Sequence, residues 1–248
     1  MNNIIKSSIS IVLISLSATI TNISSFAQNN KYSTLYYQRA SLFEELSVDS
    51  NDIIFLGNSI THFGEWHEIF NNPNIKNRGI SGDIAQGVYD RLNPILKGKP
   101  LKIFLLIGIN DVSHNLTADS IVNAIRKISL KIKEASPDTK LYIQSVMPVN
   151  PAFNMFLKAT ERGDVVKEIN KGLEILCSDE SITFIDIYNC LTTPGTDLLN
   201  PDFTNDGLHL MGAGYLRWAE AIKKLPRFIR AWIARKNSIA VCVTFYDF

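Results

Sequence analysis

A serine, a histidine and an aspartate in this sequence have the types and spacing that nucleophilic catalysis needs. A serine hydroxyl attacks a carbonyl carbon only when a base takes its proton and a third group orients that base. Of the four histidines, His209 has an acid three residues earlier in a turn-like Asp-Gly segment. Asp206 is therefore its natural partner, and Asp202 is a weaker candidate. Ser59, just after an apolar run that stops at Gly57, is the candidate nucleophile.

Three further groups suit the negative charge that develops on the carbonyl oxygen during acyl transfer, because that charge must be held by donors fixed in advance. The backbone N–H of Ser59 at a helix start is one donor. Gly82 can bring a second N–H close without a side chain in the way, and Asn110 offers a side-chain amide. Each has a structural alternative, as an N-cap, a turn glycine and a helix cap respectively. Their joint occurrence favours an oxyanion hole.

Four side chains are candidates for contact with a substrate. Asn58 precedes the serine, and His62 follows it on a probable helix, where its ring is expected to point along the helix side rather than act as the base. Phe153 and Phe156 lie in the segment 148–160, which is long enough to form a wall or a lid. Aromatic residues in such a segment either line an acyl or alcohol pocket or pack onto the core, and both alternatives stay open.

The elements that must position these residues alternate between short apolar runs and longer periodic ones. This alternation predicts a parallel sheet covered by helices on both faces. The predicted strands are 52–56, 75–80, 101–107, 141–146 and 182–187. The predicted helices are 32–48, 65–70, 84–96, 118–135, 161–177 and 214–225. Right-handed crossovers place the strand-to-helix loops, and hence the polar residues above, at one edge of the sheet, where ligands bind.

Four short blocks of this sequence resemble the SGNH hydrolases, also called GDSL-type esterases and lipases. They are, in family order, GNSI at 57–60, NRGISGD at 77–83, GIND at 108–111 and DGLH at 206–209. The resemblance implies a flavodoxin-like three-layer α/β/α sandwich with a five-stranded parallel sheet, and it implies neither a metal nor an organic cofactor. It also implies a role for each matching residue: Ser59 as nucleophile, His209 as base, Asp206 as the acid partner of that base, and Ser59, Gly82 and Asn110 as the oxyanion hole.

Asn58 departs from the family pattern, in which an aspartate usually precedes the serine. This aspartate is not the acid of the triad, so the exchange is not expected to abolish catalysis. The blocks GNSIT and NRGISGD look most like the branch that contains platelet-activating-factor acetylhydrolase-like enzymes and carbohydrate acetylesterases.

Composition, net charge and the two ends of the sequence predict the domain organisation and the localisation of the protein. The chain has 248 residues, of which 46% are hydrophobic and 20% charged, as expected for one globular domain. A net charge of +1 with scattered basic residues argues against a nucleic-acid partner. Residues 1–27 predict a cleaved signal peptide, and hence a secreted or periplasmic protein without stable membrane insertion after cleavage. Residues 28–227 then form the hydrolase domain, and 228–248 form an extension of unassigned role.

The cysteines predict neither a disulfide framework nor a metal site. The strand between Cys177 and Cys190 would separate them by about 20 Å, whereas a disulfide needs Cα atoms within about 7 Å. The sequence has no CxxC pair for zinc.

The sequence as a whole predicts a secreted serine esterase that cleaves short-chain esters, in particular O-acetyl groups on carbohydrates such as sialic acids or glycans. The acetyl preference is an analogy at the level of the family. Three alternatives stay open: a lysophospholipase or thioesterase acting on longer chains, an O-acyltransferase, and a non-catalytic glycan-binding protein on the same fold. The predicted partner is a small-molecule or glycan ester substrate, and the oligomeric state is left open.

Overall fold

The computed structural model describes residues 31–225, and its centre is a parallel sheet of five strands in the order β2-β1-β3-β4-β5. The strands are β1 (Ile53–Gly57), β2 (Ile75–Gly79), β3 (Lys102–Leu106), β4 (Lys140–Gln144) and β5 (Thr183–Ile185). This order is that of the flavodoxin-like doubly wound folds, so the predicted fold class is confirmed. The predicted signal peptide and the C-terminal extension lie outside the described residues.

Helices flank the sheet and connect its strands. They are α1 (Thr34–Glu45), α2 (Ser59–His62), α3 (Trp66–Ile69), α4 (Ala85–Asp90), α5 (Asn93–Lys97), α6 (Ile109–Ser113), α7 (Ala118–Ala135), α8 (Leu157–Thr160), α9 (Gly163–Asp179), α10 (Tyr188–Leu191) and α11 (Gly212–Lys223). Short 3-10 turns occupy Pro151–Phe153 and Pro201–Phe203. Within residues 31–225, no helix is both long and apolar enough to cross a membrane.

The prediction of one helix over 84–96 is wrong, because the structure divides this segment into α4 and α5. Pro94 lies in the first turn of α5. Its missing N–H and its ring are tolerated there, but both would interrupt a continuous helix. Arg91 sits at the break with φ −104° and ψ 18°, and it is only 7% exposed. The break therefore places a buried guanidinium beneath the edge of the sheet that carries the loops.

Three short helices occur where the sequence indicated loops or strand ends. They are α6, α8 and α10, of four or five residues each. Helices this short have little propensity signal of their own, since their formation depends on tertiary packing.

The core is organised around an aromatic ladder across three neighbouring strands. Phe55 pairs with Phe104, and Phe104 with Tyr142, and the rings stack at centroid distances of 5.0 and 4.6 Å. Trp66 stacks on Phe55 at 4.4 Å and meets Trp218 of α11 edge-on. This ladder packs α3 and α11 against the sheet, so the segment that follows β1 is supported by a closely packed core.

Candidate active site

Ser59 is the first residue of α2 and lies two residues after the end of strand β1. Its Oγ lies 3.0 Å from Nε2 of His209, and the residue is 7% exposed. Asn58 is the N-cap of this short helix, with its side-chain oxygen accepting the N–H of Ile60 at 3.0 Å. On the opposite side, the Tyr215 hydroxyl of α11 donates to the Ile60 carbonyl at 2.8 Å. The nucleophile loop is therefore held by hydrogen bonds from two sides.

Asp206 holds His209 by both its side chain and its loop. Oδ2 lies 2.7 Å from Nδ1 of His209, while Oδ1 accepts the backbone N–H groups of Leu208 at 2.8 Å and His209 at 2.7 Å. Partial burial raises the pKa of Asp206, but these N–H groups and the imidazole outweigh it, so the net pKa lies below the usual value. The carboxylate is thus ionised at neutral pH. With Nδ1–H donated to it, Nε2 faces the Ser59 hydroxyl as an acceptor.

Gly207 lets the loop of Asp206 and His209 fold tightly. Its φ is +80°, in the left-handed region that other residues rarely adopt. A Cβ at this position would come 2.1 Å from the carbonyl oxygen of Asn150. The Asp-Gly sequence that suggested a turn is therefore required at this point by both conformation and space.

Of the two other predicted oxyanion donors, Gly82 lies on the loop after β2 and Asn110 lies in the first turn of α6, which follows β3. Gly82 has φ +80°, and a Cβ there would meet nothing within 4 Å. A glycine at position 82 is thus explained by its backbone conformation, since a side chain there would not clash with neighbouring atoms. Asn110 donates one N–H of its amide to the carbonyl oxygen of Asp83 at 2.8 Å. Since a primary amide has two N–H groups, the second is available to a substrate oxygen.

Two buried carboxylates brace these loops from below. Asp83 pairs with Arg91, whose Nε lies 2.8 Å from Oδ2. Burial raises the pKa of Asp83, and Arg91 opposes the shift. Asp111 accepts the Ala85 N–H with both oxygens, at 3.2 and 3.1 Å, and burial raises its pKa to about 6.

The guanidinium of Arg91 was not found by sequence reasoning, although it links three parts of the site. In addition to Asp83, it donates to the carbonyl of Arg78 near the end of β2 at 2.9 Å and to that of Gly57 at the end of β1 at 3.0 Å. A sequence signal for this role is weak, since arginine on a helical segment usually faces solvent.

The structure brings one of the four predicted substrate contacts against the base. The Phe156 ring centroid lies 5.1 Å from that of His209, at 77°. Phe153 is half-buried behind the catalytic loop, where a Cβ on Gly207 would come 3.4 Å from its ring. The His62 ring is directed at the loop after β2, with Nδ1 3.0 Å from Oγ of Ser81.

Asn58 requires a correction. We expected it to contact substrate, but it is 0% exposed, so its place is beneath the surface of the site. Its side-chain oxygen caps α2, whereas its Nδ2 is buried with no hydrogen-bond partner among the described residues.

Phe63 is a further residue that sequence reasoning missed. Its ring lies 5.5 Å from the His209 imidazole, and it is 55% exposed. It follows Ser59 by four residues, and positions i and i+4 share one helix face. That spacing was the signal by which it could have been found.

In residues 31–225 there is no cluster of three or more His, Cys, Asp or Glu side chains that would suit a metal ion. Cys177 and Cys190 are free thiols, and burial raises the pKa of each to about 11. Thiols with such pKa values are protonated at neutral pH and therefore weak nucleophiles.

The family model described as the GDSL-like Lipase/Acylhydrolase family matches residues 55–217. A human protein named platelet-activating factor acetylhydrolase IB subunit alpha2 is 26% identical over 184 residues, which cover 70% of this chain and 75% of that protein. A GDSL-like lipase of Bacteroides thetaiotaomicron superimposes with a TM-score of 0.66 at 25% identity, covering 79% of this chain and 98% of that one. An acetyl-xylooligosaccharide esterase from Geobacillus shares the fold, with a TM-score of 0.55 at 18% identity over 72% of this chain and 95% of that one.

Proposed function

The chain belongs to the GDSL-like lipase/acylhydrolase family, and from this premise we propose that it is a serine esterase that cleaves short-chain esters, chiefly acetyl esters of carbohydrates. The family supports an ester hydrolase. The observation that carries the proposal is the continuous hydrogen-bonded chain from Ser59 Oγ through His209 to Asp206, at 3.0 and 2.7 Å. These are the distances over which a hydroxyl can pass its proton to an imidazole and a carboxylate can hold that imidazole in place.

The reaction follows from this geometry. As Ser59 Oγ forms a bond to the ester carbon, its proton moves to Nε2 of His209, and Asp206 stabilises the imidazolium. The carbonyl oxygen becomes an oxyanion, for which the N–H groups of Ser59 and Gly82 and the amide of Asn110 are the proposed donors. The C–O bond to the alcohol then breaks as His209 returns the proton to the leaving oxygen. Water repeats the sequence on the acyl-serine, releases the acid and restores the Ser59 hydroxyl.

The acetyl assignment rests on similarity. The curated human relative named above is called an acetylhydrolase, and the GNSIT and NRGISGD blocks resemble the branch with carbohydrate acetylesterases. The predicted signal peptide at 1–27, if cleaved, would expose the enzyme to extracellular or periplasmic glycans. Export and cleavage are part of the proposal, and N-terminal sequencing of secreted protein tests them: a chain still beginning at Met1 would contradict cleavage.

Acyl length is the sharpest test of the substrate class. We would compare kcat/KM on p-nitrophenyl acetate and p-nitrophenyl octanoate, which share a leaving group and differ only in the acyl chain. The proposal expects the acetate to be the better substrate. A clear preference for octanoate would overturn it in favour of a lipolytic enzyme. Transfer of acetyl to an added sugar in excess of acetate release would favour the O-acyltransferase, and no turnover of either ester would favour a glycan-binding protein.

A further inference from the structure

Two phenylalanine rings lie beside the His209 imidazole while much of each stays exposed. The Phe156 ring meets the imidazole edge-on at 5.1 Å, and the Phe63 ring lies tilted by 44° at 5.5 Å. Their exposed fractions are 47% and 55%. They come from separate elements, since Phe63 follows α2 and Phe156 precedes α8. Two distant parts of the chain therefore bring aromatic rings to the mouth of the site.

The backbone at Phe156 is in a conformation that core packing does not explain. Its φ is +49° and ψ +38°, a left-handed conformation that bulky L residues rarely adopt. Asn154 is left-handed as well, with φ +54°. The segment is nevertheless held firmly, because the Phe156 carbonyl accepts N–H groups of Ala159 at 2.8 Å and Thr160 at 3.0 Å. A strained, half-exposed aromatic residue held in this way is typical of a functional position.

The chemistry of His209 indicates what these rings contact. Nε2 must return its proton to the oxygen of the departing alcohol, so that oxygen lies within hydrogen-bonding distance of the imidazole during the reaction. The rest of the alcohol, which is attached to that oxygen, must then lie beside the side chains that surround the imidazole at the open side of the site. We propose that Phe63 and Phe156 form the alcohol subsite of the enzyme and stack on the face of a sugar ring. This inference rests on the proposed esterase function and names the part of the substrate that the two rings bind.

Exposure and polarity favour a sugar ring over an alkyl chain. Alkyl chains are usually bound in concave, mostly enclosed apolar pockets, whereas these two rings are half open to solvent. A rigid aromatic face stacks well on a flat, C–H-rich surface. Next to Phe63 lies His62, with ring centroids 5.7 Å apart, and its Nδ1 meets Ser81 Oγ at 3.0 Å. These polar groups suit the hydroxyls at the rim of a sugar ring.

The test keeps the acetyl group constant and varies the alcohol. Acetate release from an acetylated methyl glucoside and from ethyl acetate is measured for wild type, Phe63→Ala and Phe156→Ala. Met155→Ala and Leu157→Ala are matched controls, because these neighbours of Phe156 are also exposed apolar residues, at 47% and 42%. We expect each Phe variant to lower the glucoside-to-ethyl ratio of kcat/KM roughly three- to tenfold, and the controls to leave it within twofold.

A Phe156→Leu variant separates ring stacking from apolar bulk. A ratio as low as that of Phe156→Ala supports stacking on a sugar face, whereas a wild-type ratio in Phe156→Leu would overturn it. An unchanged glucoside-to-ethyl ratio in both Phe→Ala variants would also overturn the proposed subsite. This holds even if kcat/KM falls equally on both esters, since the rings would then affect only His209 and not the alcohol. Failure of the proposed function looks different: wild type and Ser59→Ala would release acetate from ethyl acetate equally slowly.

Discussion

Arg91 and Asp83 form a buried ion pair, 2.8 Å from Nε to Oδ2, that connects the nucleophile loop to the oxyanion loops. A second nitrogen of the guanidinium donates to Gly57 at the end of β1. Asp83 follows Gly82 in sequence, and its backbone carbonyl holds the amide of Asn110. This buried ion pair therefore helps to fix the relative positions of the three proposed oxyanion donors.

Removal of the guanidinium is expected to be costly. Arg91→Met would leave Asp83 buried and unpaired, a change that typically costs about 3–5 kcal/mol of stability, and we expect a lower kcat as the donors move. Urea unfolding measures the first effect. The matched control is Arg217→Met, which breaks an exposed pair with Glu220 worth about 0–1 kcal/mol. An Arg91 variant no less stable than the Arg217 variant would refute this role.

Asn58→Asp is expected to shift the pH dependence of catalysis. The carboxylate can still cap Ile60, and it removes the buried Nδ2 that has no partner among the described residues. A negative charge next to the nucleophile stabilises the imidazolium form of the base relative to its neutral form. Because catalysis needs the neutral imidazole, we expect the acid limb of kcat/KM to move to higher pH by up to about one unit. A shift to lower pH, or none, would contradict this placement of Asn58.

The candidate catalytic residues could be proposed from sequence because the topology of the sheet places them at the same edge. Ser59 and Asn110 follow neighbouring parallel strands, and parallel strands deliver their carboxyl ends to one edge whatever the details of packing. The surroundings of these residues could not be proposed in the same way. Asn58 was predicted to contact substrate because it precedes Ser59, yet it is completely buried. Arg91 lies between two helices and turns inward to Asp83 and Gly57, an orientation that depends on tertiary contacts.

Asp111→Asn is expected to change how stability depends on pH. Burial raises the pKa of Asp111 to about 6, above the unfolded value of about 3.9. Between these values the native state holds a proton that the unfolded state has lost, so this group lowers stability as pH rises from about 4 to 6. Asparagine cannot ionise. The free energy of unfolding of the variant minus that of wild type should therefore be larger at pH 7 than at pH 4.5, by an amount on the order of 2 kcal/mol. The variant gains stability relative to wild type as pH rises.

The measurement is urea unfolding of both proteins at the two pH values. Subtracting the free energy of unfolding of wild type from that of the variant at each pH cancels the contributions of other titrating groups. Asp206 is one such group, and its lowered pKa makes stability fall as pH falls. A difference that is the same at both pH values would show that Asp111 does not titrate in this range.

Asn110→Ala is expected to slow the chemical step rather than weaken binding. Loss of an oxyanion donor typically lowers kcat by about 100- to 1000-fold, with KM changed little because the donor acts on charge that exists only in the transition state. Steady-state kinetics on p-nitrophenyl acetate separates the two parameters. Asn189→Ala is the control, since this asparagine is exposed and its side-chain amide donates to the neighbouring Asp186. A loss confined to KM would contradict the oxyanion role.

Release of acetate by Ser59→Ala, compared with wild type on an acetylated methyl glucoside, tests the central claim most directly. The proposal that this hydroxyl attacks the ester rests on the distance of 3.0 Å between Ser59 Oγ and His209 Nε2. The account predicts that wild type releases acetate and that the variant is slower by at least about 10⁴-fold, with an unchanged circular dichroism spectrum. Equal rates for the two proteins would show that Ser59 is not the nucleophile.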